Sequence, residues 1–347
     1  MPDKNRISMA SIDDASKIMR FIDREWKQGH IFARSKMFFL HEYGDGNKLN
    51  FVISKNEAGE ITGMLGFLKA SSDDDSTVWT TMWKVSKNSG SPMLGVELLN
   101  FLRRQGYKGV MSLGINSETE IIYEYLGFHL GVLDHHFIPN LELKDFKIAI
   151  IPSRVLAKPI NHIQQTDVVL KTVEPKDLKA NFDFDKYRQR IPFKDLEYFI
   201  RRYFRHPIYE YKVYGCLKNQ EITAIVVVRV CSYQNSTCMR IVDFHGEDEL
   251  LSAVTPNLVA AMRLAGHEYI DLFSMGISEK ILSEAGFLNV SCEQDDIVVP
   301  NYFEPFVQSN SSIRYFTDSQ NLQNLRIFKG DGDQDRPSIM PERINIQ

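Results

Sequence analysis

Between Thr80 and Phe128 the chain sets out groups that could hold an anion and move a proton. A strand-like run, Thr80-Thr-Met-Trp-Lys-Val85, leads into a turn of small residues, Asn88-Ser-Gly-Ser-Pro-Met-Leu-Gly95, and then a helix from Val96 to Arg104. Ser89, Gly90 and Gly95 can expose backbone N–H groups there. Orphan donors and the positive end of a helix dipole make such a start an anion site. Gly106 stops the helix, a second strand runs from Gly109 to Ile115, Asn116 follows, and the run closes with Ile122-Tyr-Glu-Tyr-Leu-Gly-Phe128. Groups able to accept a proton from a substrate are Glu118, the pair His135-His136, and His245 in Asp243-Phe-His-Gly-Glu-Asp248.

Those groups need a scaffold, and the sequence repeats one. Asn56 to Phe67 matches Lys218 to Val228, each a charged hairpin tip, Glu-Ile-Thr, and an apolar strand. Gly106 matches Gly266, Gly114-Ile115 matches Gly276-Ile277, and Tyr125-Leu-Gly-Phe128 matches Glu284-Ala-Gly-Phe287. Landmarks kept at one common spacing argue for internal duplication. The 347 residues suffice for two domains, each with its own core. The expected fold is α/β, two mixed-sheet halves, at residues 1–145 and 160–347, with Pro139 to Pro159, which carries no repeat landmark, as the linker. Early strands of each half should pair antiparallel and later ones parallel across a helix. In the first half, Ser11 and Asp14 open a helix running to Trp26, with Ala15, Ile18, Met19, Ile22 and Trp26 on one face.

The Thr80–Phe128 series resembles the core of the GNAT acyltransferase superfamily. In that register Gly95 takes the last small position of the family's turn, Met93 replaces a glycine, and Gly90 replaces a basic or amide residue. The resemblance implies that acetyl-CoA or another short acyl-CoA is held by Val85, Ser89, Gly90, Gly95 and Asn116. A backbone N–H near Val85, at a strand bulge, would polarise the thioester carbonyl, and Tyr123 would protonate the thiolate. The second half has an acidic turn, Ser278 in place of Asn116 and Leu282 in place of Tyr123, so CoA is expected in the first half only.

Val298 to Phe306 and Lys329 to Pro337 resemble the C-terminal part of nucleotide-sugar N-acyltransferases of bacterial surface-polysaccharide pathways, such as those of O-antigen. This implies a dTDP- or UDP-linked amino-dideoxysugar as acceptor, for which Asp243, Asn301, Tyr302, Glu304 and Arg336 are the candidate binding residues; by their residue types His245, Glu118 or the pair His135-His136 would serve as base, unless the amine loses its proton to water. Two other readings stand beside it: a Fem-type aminoacyl transferase using aminoacyl-tRNA, and a non-catalytic acyl-CoA-binding protein.

A formal charge of -4 without a strong basic stretch speaks against nucleic acid as the main partner. The sequence has no long apolar run or signal-peptide start, so a cytoplasmic protein is expected. Cys216, Cys231, Cys238 and Cys292 show no metal or redox spacing. Asp331, Asp333, Asp335 and Glu342 fall on ligand positions of an EF-hand loop, but Arg336 takes the place of its required glycine. No metal is therefore expected, and this tail reads either as solvated or as a loop that folds back on an acceptor. The oligomeric state is not specified by any of these features.

Overall fold

The computed structural model describes residues 6–157, 168–218, 221–290 and 296–340. Cys292 and Glu342 lie outside the described residues. The chain divides into two compact units. The first comprises residues up to Leu130 together with Phe316–Ser319 and the segment from Gly332 onward; the second comprises Gly131–Tyr315 and Gln320–Asp331.

The first sheet is built on strands β1 (Arg6–Ser11), β2 (Lys48–Lys55), β3 (Ile61–Lys69), β4 (Val78–Val85), β5 (Val110–Leu113) and β6 (His129–Val132). It runs β1-β2-β3-β4-β5, then the strand Arg314–Thr317, then β6. β1 to β4 pair antiparallel, while β4 and β5 are parallel across helix α2. Helix α1 (Ala15–Phe21) continues through a wider turn to Trp26, α2 spans Leu94–Arg103 and α3 spans Glu120–Tyr125. The Ser11–Asp14 capping box is formed, as the spacing predicts. Leu94, Leu98, Leu99 and Leu102 put one face of α2 on Val52, Leu65, Phe67 and Val78 of the sheet. Removing such apolar area from water supplies roughly 25 cal/mol per Å².

The second unit repeats this plan with β7 (Asp134–Pro139), β8 (Val169–Thr172), β9 (Lys212–Lys218), β10 (Glu221–Tyr233), β11 (Ser236–Gly246), β12 (Tyr269–Met275) and β13 (Leu288–Asn289). The order is β13-β7-β12-β11-β10-β9-β8. β11 and β12 are parallel across α4 (Leu250–Ala265), and α5 (Glu279–Glu284) follows β12. The fold is thus α/β with two mixed sheets of eight strands each, counting one short strand off each path. The repeated glycines explain themselves. Gly106, Gly114 and Gly127, and their partners Gly266, Gly276 and Gly286, all have φ between 68° and 101°, a region closed to most side chains.

Each sheet places one late strand out of chain order. β7 follows β6 directly but belongs to the second sheet, beside β12, and Phe316–Thr317 fills the corresponding place beside β5 in the first. The expected split at 145–160 therefore differs from the units observed. Nor do residues 140–157 form a free linker: the Glu268 carboxylate accepts N–H groups of Lys147, Ile148 and Ala149 at 2.7–3.1 Å, and Ile150 bridges Val298.

Candidate active site

The parallel ladder between β4 and β5 is short. It pairs Val78, Thr80 and the residue between them with Val110 to Ser112 and then ends. Beyond it the strands frame a cavity of about 540 Å³, walled by Thr80, Thr81, Trp83 and Val85 on one side and Ser112 to Asn116 on the other. α2 contributes Gly95, α3 contributes Ile122 and Tyr123, and the end of the first helix contributes Trp26. Asp333 and Gln334, from the far end of the chain, complete the wall.

Four of the residues singled out in the sequence thus meet at one cavity: Val85, Gly95, Asn116 and Tyr123. Gly95 lies in the first turn of α2, which no side chain caps. A Cβ there would meet the Trp83 indole at 3.4–3.6 Å, ordinary contact, so this position does not require glycine for packing. Asn116 caps the short turn Ser117–Thr119, its Oδ1 accepting from the Glu118 N–H at 3.0 Å. The Tyr123 ring packs on Phe316 at 4.5 Å between centroids and near Trp83 at 6.0 Å. Burial raises the Tyr123 phenol above its usual range, opposed by a hydrogen bond with Thr119.

Ser89, Gly90 and Glu118 stand outside the cavity wall. Ser89 donates its N–H to Ser86 at 3.1 Å within a tight turn in which Gly90 has a φ of 70°. Glu118 is exposed. The expected bulge lies on β4, but not at Val85, which pairs in register with Gly63. The register slips between Leu65–Trp83 and Phe67–Thr80, so Thr81 and Met82 together oppose Gly66. That slip takes backbone groups out of the regular ladder beside the cavity.

The second unit closes its equivalent opening. β11 and β12 part after Ile241–Leu272, and the strand Ile327–Phe328 pairs with β12 there, Ser274 to Phe328 and Met275 to Ile327. The Gly330 N–H then donates to the Val242 carbonyl of β11 at 2.7 Å. A Cβ on Gly276 would run into the Leu325 carbonyl, so the glycine permits this close approach. Far from being solvated, the segment ends in a buried network. Lys194 Nζ lies 2.8 Å from both Asp243 Oδ1 and Asp331 Oδ1, Tyr203 donates to Asp243 at 2.7 Å, and Tyr198 donates to Asp331 at 3.1 Å. Burial, opposed by Lys194 and reinforced by Asp243, pushes the Asp331 carboxyl up to about 6.

This changes the reading of several polar residues. Asp243 is fully buried against Lys194 and cannot line an open acceptor site. His245 is buried among Phe182, Phe184, Tyr187 and Phe199, and its Nε2 finds no hydrogen-bond partner. Burial, with Lys194 and Arg190 nearby, holds its imidazole neutral, well below its usual pKa. A base needs access to its substrate, and this ring is enclosed by aromatic side chains instead. Asn301 is buried as well: its carbonyl accepts from Arg240 at 2.9 Å and its Oδ1 from Lys329. Tyr302 and Glu304 belong to a short hairpin in which the Glu304 carboxylate accepts from the Tyr209 hydroxyl at 3.0 Å. Arg336 lies over the Phe32 ring at 4.7 Å and binds Asp333 at 2.8 Å. His135 is stacked on Phe273 at 3.7 Å and bound to Asp271 at 3.2 Å, and burial lowers it to about 4. His136 faces Glu279 at 2.9 Å. Asp331 and Asp333 serve separate cations of the protein, and among the described residues no cluster of His, Cys, Asp and Glu is arranged to hold a metal.

Neither a family model nor a curated protein sequence matches the chain. Solved structures do. A GCN5-related N-acetyltransferase from Anabaena variabilis superposes with a TM-score of 0.56 at 12% identity, over 90% of this chain and 72% of that one. One from Kribbella flavida gives 0.52 at 11% identity, over 91% and 71%. The fold is that of the GCN5-related N-acetyltransferases. A conserved protein of Enterococcus faecalis shares it, with a TM-score of 0.56 at 7% identity over 92% and 73% of the two chains. Each likeness covers residues of both units. No described helix is long and apolar enough to cross a membrane.

Proposed function

We propose that this chain is an acyl-CoA-dependent N-acyltransferase working in the cavity between β4 and β5. The observation that carries the reading is the parting of those parallel strands after Thr80–Ser112, with Gly95, Asn116 and Tyr123 gathered on the opening. The residues suit the co-substrate. The uncapped start of α2 offers N–H groups to a pyrophosphate, and the ends of β4 and β5 offer backbone groups to the amides of a pantetheine arm. The bulge at Thr81–Met82 supplies N–H groups beside the cavity for a polarised carbonyl. Tyr123, kept neutral by burial, is suited to give its proton to a departing thiolate.

The acceptor on this reading is an amine. A nucleotide-linked amino sugar is the narrower form, but among the described residues lining the cavity none is Lys, Arg or His to meet its diphosphate. Thiol release from acetyl-CoA and longer acyl-CoAs, measured with a panel of amines including a dTDP-linked amino sugar, tests both levels. Calorimetry should find one acyl-CoA site per chain, since the second opening holds residues 325–331. Two sites, or none, would refute the assignment of the cavity. Binding without thiol release from any amine would instead favour an acyl-CoA-binding protein, and release only with aminoacyl-tRNA would favour the Fem-type reading.

A further inference from the structure

The cavity wall holds two ionisable side chains among its described residues, Tyr123 and Asp333. Asp333 is its one carboxylate, set in a wall that also carries Trp26, Trp83 and Tyr123. Its placement is built rather than incidental. Arg336 Nη2 binds Asp333 Oδ2 at 2.8 Å, Arg336 Nε donates to the Asp333 carbonyl at 3.2 Å, and the guanidinium rests over Phe32 outside the wall. Gln334 Nε2 donates to Asp333 Oδ1 at 3.1 Å and to the Leu113 carbonyl at 3.2 Å, which ties the loop to the end of β5. Gly114 makes room, since a Cβ there would collide with the Gln334 amide. A carboxylate offers about four lone-pair directions, so these two bonds leave Asp333 able to accept more.

We propose that the acceptor enters as an ammonium ion, with Asp333 as its counter-ion and the aromatic wall as its apolar and cation–π surround. This rests on reading the cavity as the acyl-transfer site and adds to it the charge class of the substrate. The wall has no basic side chain, three aromatic rings and one carboxylate, which keeps lone-pair directions free beside its bonds to Arg336 and Gln334, a surround that favours an aliphatic amine over an anionic acceptor. In the reaction the bound ammonium releases one proton to water. The free amine nitrogen forms the new C–N bond to the thioester carbon and the C–S bond breaks. Tyr123 protonates the thiolate sulfur and regains its proton from the nitrogen as the amide forms. Asp333 is a binding residue here, not the base.

The test is Asp333→Asn, which keeps the shape and an acceptor for Arg336 while removing the charge. Acyl-CoA affinity, read by calorimetry, should stay within about threefold of the parent. KM for aliphatic amines should rise on the order of ten- to hundredfold, the usual loss when a charged hydrogen-bond partner is neutralised. KM for an arylamine, uncharged at the assay pH, should hardly move. Asp333→Glu, which keeps the charge, should recover part of the aliphatic-amine affinity and guards against a folding defect in the first variant. A polyamine, a free amino sugar and a dTDP-linked amino sugar, run side by side, separate sources of the same ammonium chemistry. Equal effects on charged and uncharged amines, or none on either, would overturn the proposal while leaving the acyl-CoA site standing. Failure of the parent protein to bind acyl-CoA would overturn the site and the proposal together.

Discussion

Replacing Gly95 separates folding from ligand binding in a way few positions allow. The residue is the second of α2, directly after Leu94, and no side chain caps that helix. A Cβ added there meets Trp83 at 3.4–3.6 Å, which is ordinary contact. Gly95→Ala should therefore stabilise the protein by about 0.5–1 kcal/mol, the usual helix preference for alanine over glycine. In a chain of this length that is a rise of roughly 1 °C in Tm. Gly95→Glu should hold stability as well, because an acid in the first turn complements the helix dipole by about 0.3–1 kcal/mol. Its effect on binding is the opposite. The carboxylate competes for the N–H groups and repels a pyrophosphate, and losing such charge-assisted contacts costs about 1.5–3 kcal/mol. The expected outcome is an acyl-CoA Kd raised roughly ten- to 150-fold in Gly95→Glu and little changed in Gly95→Ala. Calorimetry reads the first quantity and thermal unfolding the second. Unaltered affinity in Gly95→Glu would show that the start of α2 does not hold the phosphates.

Tyr123→Phe should lower kcat on the order of a hundredfold with acyl-CoA affinity retained. A rate within about threefold of the parent would remove the phenol from proton transfer. Lys194→Met leaves Asp243 and Asp331 buried without their cation and should cost about 3–5 kcal/mol in urea unfolding; a loss below about 1 kcal/mol would contradict the buried network. The acid limb of stability should carry a histidine signature. Burial lowers His135 to about 4 from the ordinary histidine value of 6.5, so its contribution is complete above pH 6.5 and disappears as pH falls towards 4. That window is worth up to about 3 kcal/mol for this one group, and His135→Gln should flatten the fall in unfolding free energy between those limits.

The parts of the fold that were legible in the sequence are those that a local rule dictates. Six glycines repeat because six turns need positive φ, and their spacing exposed the duplication. Val85, Gly95, Asn116 and Tyr123 could be read together because they fall on one continuous strand–helix–strand–helix run. Trp26, Asp333 and Gln334 could not, since they reach the same cavity from opposite ends of the chain. The second unit misled for a different reason. Asp243, Asn301 and His245 looked like ligand groups because buried networks and ligand sites draw on the same polar residue types. Lys194, a lone lysine between Phe193 and Asp195, gives no hint in sequence that it will bind two distant aspartates.

The out-of-order strands set a timetable for the molecule during synthesis. β5 leaves the ribosome with its outer edge bare, and the residues that cover it, Phe316 and Thr317, are translated about 200 residues later. At ordinary elongation rates that interval is roughly 10–40 s, during which a row of N–H and C=O groups is open to any passing strand. Asp333 and Gln334 arrive later still. An interrupted translation product can therefore carry the whole Thr80–Phe128 run and yet hold neither a finished sheet nor a finished cavity. Formation of this cavity waits for the segment that carries Asp333 and Gln334, and until Phe316 and Thr317 arrive a nascent edge strand has to be guarded.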